Sequence, residues 1–453
     1  MGQLVMTSRT IIYGCAIATV DASDSVIDSG YIVLENDRIR AVGSGAPQDL
    51  NGRLINASGC LATPGLINTH HHLYQWLTRG HGQNSGLLEW VNELWPLWTR
   101  LDSDMVFAAA RAALAMLALS GCTTTADHHY IFPSRSENML HSTIEAARHI
   151  GVRLHAVRGC MDIGRSRGGL PPDELTEDLD TVLIAIEGAI DRFHDPSPNS
   201  KIQIGVGPLG PLAASQQLMT ETAELARAKG VRLHTHIAEE REDEALVVAR
   251  FGRSSVEYLD ELGWLGNDTW LAHCVQLGKS EIGRLSRTRT SVAHCPSSNA
   301  RLGDGIAPVS DLLAAGVTVG LGVDGAASQE AGQLAAEMKQ ALYLSRLRDG
   351  PSALRPATAL RLATLGGASC LGRHGDLGSL EPGKLADIAL WWLGDLGHAG
   401  MRDPVAALVL GPPATLELLL VGGEPIVSAG RLVTQTEDDI VRQVEQMALR
   451  LHG

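Results

Sequence analysis

Pro64-Gly65-Leu66-Ile67-Asn68-Thr69-His70-His71-His72 is a short apolar run that ends in consecutive histidines, and its reading decides the fold. In an extended segment alternate side chains share a face, so His70 and His72 point together while His71 points away. The pattern of an apolar run closing on polar, chemistry-bearing side chains recurs along the chain. Leu233-His234-Thr235-His236 leads into Ile237-Ala238-Glu239, Leu271-Ala272 ends in His273, and Gly322-Val323 ends in Asp324.

Outward from these runs, residues 63–375 alternate short apolar stretches with longer amphipathic ones. Strands are expected to begin near Leu61, Thr123, Val152, Ile202, Val231, Thr269, Ser291 and Val317. Between them, segments such as Asp104–Leu119, Ser142–His149, Ser215–Lys229 and Ser255–Leu262 carry apolar residues at helical spacing. Eight such strand–helix units predict an α/β fold, a closed (β/α)8 (TIM) barrel with its active site at the C-terminal strand ends. An open doubly wound sheet competes, but the positions of the histidines favour the barrel. The flanks differ in texture. Residues 1–62 and 376–453 hold short alternating runs, such as Tyr31-Ile32-Val33-Leu34 and Leu418-Leu419-Leu420-Val421, punctuated by Asn36-Asp37 and Gly422-Gly423. These two pieces are expected to build one small β-sandwich, the second ending in a helix over Glu437–Leu451.

The chain has 453 residues, 44% hydrophobic and 19% charged, enough for a barrel plus a smaller domain. A net charge of −14 without any Lys/Arg run argues against a nucleic-acid partner and for a small neutral ligand. The seven cysteines lie far apart with no Cys-x-x-Cys, which argues against a disulfide framework or a structural zinc site. The first ten residues lack a signal-peptide core, and no apolar run approaches membrane-spanning length, so a cytoplasmic protein is expected.

A lone His-x-His is a weak signal, because such pairs often only satisfy hydrogen bonds. Histidines or acids closing strands one, five, six and eight together are a strong one. Three imidazoles and a carboxylate suit one divalent metal, Zn2+ or Fe2+, with a coordination position open for water. Such a metal lowers the pKa of water from about 16 towards about 7, and a nearby carboxylate and histidine can move the protons.

The motifs Pro-Gly-Leu-Ile-Asn-Thr-His-His-His (64–72), His-Thr-His-Ile-Ala-Glu (234–239), Leu-Ala-His-Cys (271–274), Ala-His-Cys-Pro-Ser-Ser-Asn (293–299) and Gly-Val-Asp-Gly (322–325) resemble the amidohydrolase superfamily, in its triazine hydrolase and guanine deaminase branch. Gly378-Ser379-Leu380-Glu381-Pro382-Gly383-Lys384-Leu385-Ala386-Asp387 is similar to that family's return into its sandwich. The resemblance implies His70, His72, His236 and Asp324 as metal ligands. It implies Glu239 as proton shuttle, His273 as a partner of the attacking water or the substrate, and Asp324 also as acceptor of the water's proton. Two-metal relatives use a Lys at the end of strand four; the only Lys near that strand, Lys201, lies at its beginning, so a single metal is expected. A catalytically silent scaffold should lack part of this set, and the set is complete.

Two Gly-x-Gly-x-x-Gly segments, 205–210 and 320–325, are set aside as dinucleotide sites, since prolines follow the first and Asp324 occupies the second. Cys274 and Cys295 each follow a histidine but read as small buried residues. His294 and Asn299 are expected to shape the strand-seven loop. Trp76, Trp90, Trp95 and Trp98 crowd the segment after strand one, which in a barrel is an active-site loop. Aromatic rings beside polar groups suit a flat heteroaromatic substrate, with Trp90 and Trp95 the expected walls. Gln75, His129, Arg158 and Cys160, all near strand ends, are expected to contact the ring edge. His-His-Leu-Tyr-Gln (71–75), Thr-Thr-Thr-Ala-Asp-His-His-Tyr (123–130) and Gly-Gly-Leu-Pro-Pro-Asp (168–173) look most like the 8-oxoguanine deaminase group, which is often confused with hydroxydechloroatrazine ethylaminohydrolases. Nucleoside deaminases of the superfamily usually place a His where Leu209 stands. The resemblance thus implies hydrolytic deamination of a purine base, with guanine or a hydroxytriazine as alternatives. The exposed Trp-rich loop fits a homo-oligomer.

Overall fold

The computed structural model describes residues 9–133 and 138–453. Eight parallel strands follow one another around a ring: β1 (Leu66–Asn68), β2 (Cys122–His129), β3 (Arg153–Cys160), β4 (Ile202–Pro208), β5 (Arg232–Ile237), β6 (Thr269–His273), β7 (Ser291–His294) and β8 (Val319–Leu321). The ring closes where the Thr69 N–H donates to Leu321 O at 2.9 Å. This is the (β/α)8 barrel.

Strands β2, β3, β6 and β7 are buried along their whole length, because one side faces the barrel interior and the other the surrounding helices. Ile67, Ala126, Val157, Trp270 and Ala293 meet inside the barrel. The Trp270 indole N–H crosses the interior to donate to Thr69 O at 2.9 Å. In β2 and β3, side chains in step with Ala126 and Val157 therefore point inward, and those one position off point under the helices. The helices start on side-chain caps that accept otherwise orphaned N–H groups. Asp102 accepts from Asp104 and Met105, and Ser215 from Leu218.

A second, mostly antiparallel sheet has nine strands drawn from both ends of the chain. Cys60–Pro64 pairs with Ile388–Trp392, and Ile12, Ile17, Ile32, Leu390, Leu418 and Leu420 share its core. The Ile39 N–H donates to Lys384 O and the Ala386 N–H to Asp37 O, so the sheet curls back over the chain entering its C-terminal half. The strand expected near Leu61 as the first of the barrel is thus two strands: Cys60–Pro64 in this sheet and, after Gly65, Leu66–Asn68 in the barrel. The final helix, Glu437–His452, lies on the helix Ser103–Leu119, with Arg111 donating to Gln443, and its His452 donates to Leu77 O in the loop after β1. Among the described residues no helix is long and apolar enough to cross a membrane.

One buried ion pair ties the two sheets together. Arg153, at the start of β3, donates from Nε and a terminal nitrogen to the two carboxylate oxygens of Asp387, both at 2.9 Å, and both side chains are less than 5% exposed. Asp387 also accepts the Gly422 N–H, while Arg153 donates to Asn199 O and Ser200 O. Removing one partner leaves the other charge buried and alone, which costs about 3–5 kcal/mol. Asp387→Ala is expected to lower unfolding free energy by about that amount in urea titrations; a loss below about 1 kcal/mol would show that water already reaches the pair.

Candidate metal centre and active site

The C-terminal ends of β1, β5, β6 and β8 bring His70, His72, His236, His273, Glu239 and Asp324 together. The hydrogen-bond partners of the imidazoles determine which ring nitrogens carry protons. His72 Nδ1 donates to His128 O and His236 Nδ1 to Leu209 O, each at 2.7 Å. His234 Nδ1 donates to Trp270 O, which leaves its Nε2 to accept from His70 Nδ1 at 2.7 Å. All three rings are therefore held with bare Nε2 lone pairs facing one point.

Those lone pairs cannot satisfy one another. His72 Nε2 and His236 Nε2 stand 3.1 Å apart with no hydrogen between them, and the buried His70 Nε2 has no hydrogen-bond donor. Asp324 Oδ1 lies 3.3 Å from both His70 Nε2 and His72 Nε2. A tetrahedral cation with bonds of about 2.0–2.1 Å spaces its ligands by about 3.3 Å. The donor set fits one borderline divalent metal held by His70, His72, His236 and Asp324. A second trio, His70, His128 and His234, is close enough in space, but its nitrogens are engaged in the His70–His234 bond and in the bond from His128 Nε2 to Gly207 O at 2.6 Å. Lys201 lies exposed just ahead of β4, at the other end of the strand.

Burial holds the His70 and His236 pKa well below the usual value and lowers that of His72, so the lone pairs stay available. Burial alone would raise the Asp324 pKa, yet His70, His273 and His72 hold it well below the carboxylate range. The other oxygen of Asp324 accepts from Ser298 at 2.6 Å and Ser328 at 3.0 Å, so Oδ1 is the one turned to the imidazoles. Ala238, His273 and Asp324 all have positive φ, at 48°, 68° and 67°. Such backbone costs about 1–3 kcal/mol per residue and persists where the surroundings enforce it; here it swings side chains at three strand ends towards one centre.

Beside the metal position, His273 Nδ1 donates to Asn299 Oδ1 at 2.9 Å, which points its Nε2 lone pair at Glu239 Oε2, 3.5 Å away. Burial, with Asp304 and Asp324 nearby, pushes the Glu239 pKa well above its usual value. A carboxyl with raised proton affinity, next to an imidazole that can share the proton, is suited to proton transfer. Burial also pushes the Cys274 and Cys295 thiols up, which removes them as thiolate nucleophiles.

Above this floor opens a cleft walled by Leu87, Leu88, Trp90, Val91, Trp95, Leu170 and the stretch from Leu209 to Ala213. Gln75 and Tyr130 add polar groups. Gly325 gives Gln75 its place, since a Cβ there would fall 1.8 Å from Gln75 Oε1. The amide nitrogen of Gln75 is buried without a partner, so it is a donor available to a ligand. Trp90 and Trp95 face the cleft, whereas Trp98 packs edge-on behind both at 5.7 and 5.2 Å. Trp76 lies outside the cleft with the Arg79 guanidinium over its ring.

Three expected ring contacts are elsewhere. His129 is one position out of step with the inward-facing Ala126 and His128, and its Nε2 donates to Ile131 O. Arg158 and Cys160 are out of step with Val157: Arg158 pairs with Glu177 over Phe132, and Cys160 is buried in the outer layer. The residues that do face the centre include His128, His234, Ser298, Asn299 and Ser328, which hydrogen-bond the converging side chains of His72, His70, Asp324 and His273. Strand parity alone could have found His128 and His234; the serines and Asn299 needed the loop structure.

Because His234 fixes the tautomer of His70, His234→Ala is expected to weaken metal affinity about 10–100-fold, read by chelator competition. Unchanged affinity would mean that His70 is oriented by something else.

Comparison with known proteins places this geometry. Residues 61–425 match the amidohydrolase family. The chain is 42% identical to the 8-oxoguanine deaminase of Pseudomonas aeruginosa (strain PAO1), covering 90% of this chain and 91% of that one. It is 32% identical to the hydroxydechloroatrazine ethylaminohydrolase of Pseudomonas sp. (strain ADP), covering 96% and 94%. The atrazine chlorohydrolase of Arthrobacter aurescens TC1, solved in complex with zinc, superposes with a TM-score of 0.92 at 34% identity, over 97% of this chain and all of that one. With its family match reaching from the strand before β1 deep into the second sheet, the chain belongs to the amidohydrolase family.

Proposed function

We propose that this protein is a cytoplasmic, metal-dependent deaminase of a purine base that converts 8-oxoguanine and water to urate and ammonia. The observation that carries this reading is the adjacency of Glu239 and His273 to three converging lone pairs, at the floor of a flat cleft whose lining holds no Lys or Arg. Without a cationic lining side chain, a phosphorylated substrate has no counter-charge, and a neutral ring with an exocyclic amine suits the walls. Leu209 in the wall leaves no polar group at that position for a ribose hydroxyl. The 42% identity to an 8-oxoguanine deaminase supports the choice of ring. Seven unpaired, buried cysteines suit a reducing compartment.

A divalent metal bound by the three imidazoles and Asp324, zinc in this reading, supplies a nucleophilic water at neutral pH. The residues of the chain do the rest. Trp90 and Trp95 hold the ring by its faces, and the Gln75 amide donates to its edge. Asp324 Oδ1 accepts a proton from the attacking water. Glu239 protonates ring N3, so that C2 can take the new C–O bond. As the C2–N bond to the exocyclic nitrogen breaks, a proton passes through Glu239 to the leaving ammonia, and His273 steadies the oxygen added at C2. Atoms balance as one water consumed and one ammonia released.

Ammonia and urate formation, measured on protein of known metal content with 8-oxoguanine, guanine and hydroxyatrazine, tests the reading. Preference for 8-oxoguanine is expected. Turnover of guanine or hydroxyatrazine alone would overturn the substrate and keep the chemistry.

A further inference from the structure

The cleft contains one carboxyl that neither the metal centre nor proton transfer employs. Asp243 lines it from the first turn of the helix Arg241–Phe251, opposite in character to the apolar side chains that make up most of the wall. Among the described residues, its carboxyl has no hydrogen-bond partner. Of its acidic neighbours, Glu244 is engaged, accepting from Ser255, and Glu240 does not line the cleft. Asp243 is half-buried at the cleft, so a ligand that fills the cleft displaces its water and must replace those hydrogen bonds.

We propose that Asp243 is the specificity-determining residue of this site, and that it reads the lactam edge, N7–H and C8=O, of the bicyclic substrate. The proposal rests on the purine-deaminase reading above. A carboxyl and a cyclic amide edge are complementary: one oxygen accepts the ring N–H, and the O–H donates to the ring C=O. Guanine carries C8–H at that edge and can satisfy only one of the two. Burial, then the charges of Glu244 and Glu240, push the Asp243 pKa up to about 7, which keeps the donating O–H populated at neutral pH. The competing explanation is that an acid in the first turn merely complements the positive end of the helix. In that case substitution alters stability but treats all ligands alike.

The test uses the full-length metal-loaded enzyme, with Asp243→Ala and Asp243→Asn, and two readouts. The first is kcat/KM for 8-oxoguanine and for guanine. Asp243→Ala is expected to lower the 8-oxoguanine value about 100-fold and the guanine value less than about threefold. Asp243→Asn, whose amide can pair with the same edge, is expected to recover most of the loss. The second is competitive inhibition by urate, which has the lactam edge, against xanthine, which lacks C8=O; wild type should favour urate and Asp243→Ala should not. Equal losses on both substrates, or a urate preference that survives Asp243→Ala, would overturn the role of Asp243 and leave the deaminase reading standing. A wild-type enzyme that turns over no 8-oxoguanine and does not favour urate would overturn both.

Discussion

Glu239→Gln is expected to lower kcat about 100- to 10,000-fold, the range associated with a general acid–base group, while metal content and fold stay unchanged. The substitution keeps size and shape and removes only the exchangeable proton. Glu239 stands 3.5 Å from His273 and belongs to the group Glu239, His273 and Asp324, whose ligand atoms all lie within 4.8 Å of one another. Burial raises the carboxyl's affinity for a proton well above the usual, and the variant amide cannot pass one on. KM should change far less than kcat, because Glu239 acts on the reacting atoms more than on ring binding. A variant that retains kcat within about fivefold would assign the proton transfer to another group, with His273 the next to test.

The second large effect concerns the centre itself. His236→Ala deletes one of the three converging lone pairs and the donor to Leu209 O. Metal analysis after extensive dialysis should then show well below one ion per chain. Turnover should fall by at least about 1,000-fold, because the metal contributes several kcal/mol to the barrier and each 1.36 kcal/mol is tenfold. Far-ultraviolet circular dichroism should be unchanged, since the barrel ring does not depend on this side chain. Full metal content in the variant would remove His236 from the ligand set. Retained activity without metal would remove the metal from the chemistry.

The barrel and the convergence of His70, His72, His236, His273, Glu239 and Asp324 were legible in the sequence because each ends an apolar run, and alternation within His70-His71-His72 decides which side chains share a face. The ring contacts were less so. His129, Arg158 and Cys160 sit near strand ends, but a parallel strand buried on both faces shows no polar–apolar alternation from which to tell inside from outside. The neighbours His128 and Val157 turn out to take the inward positions. The boundary at the first barrel strand failed for a similar reason: Cys60–Pro64 and Leu66–Asn68 read as one apolar run, and only pairing separates them. The relay from Trp270 O through His234 to His70 joins residues on three strands, a relation that no local pattern encodes.

The pairing of Cys60–Pro64 with Ile388–Trp392 also governs how the polypeptide emerges from the ribosome. At roughly 5–20 residues per second, the partner follows after tens of seconds. Throughout that interval the N-terminal strands present unpaired edges, which are templates for intermolecular association. Truncations that delete the partner strand are expected to leave the Cys60–Pro64 edge unpaired and to lower soluble yield.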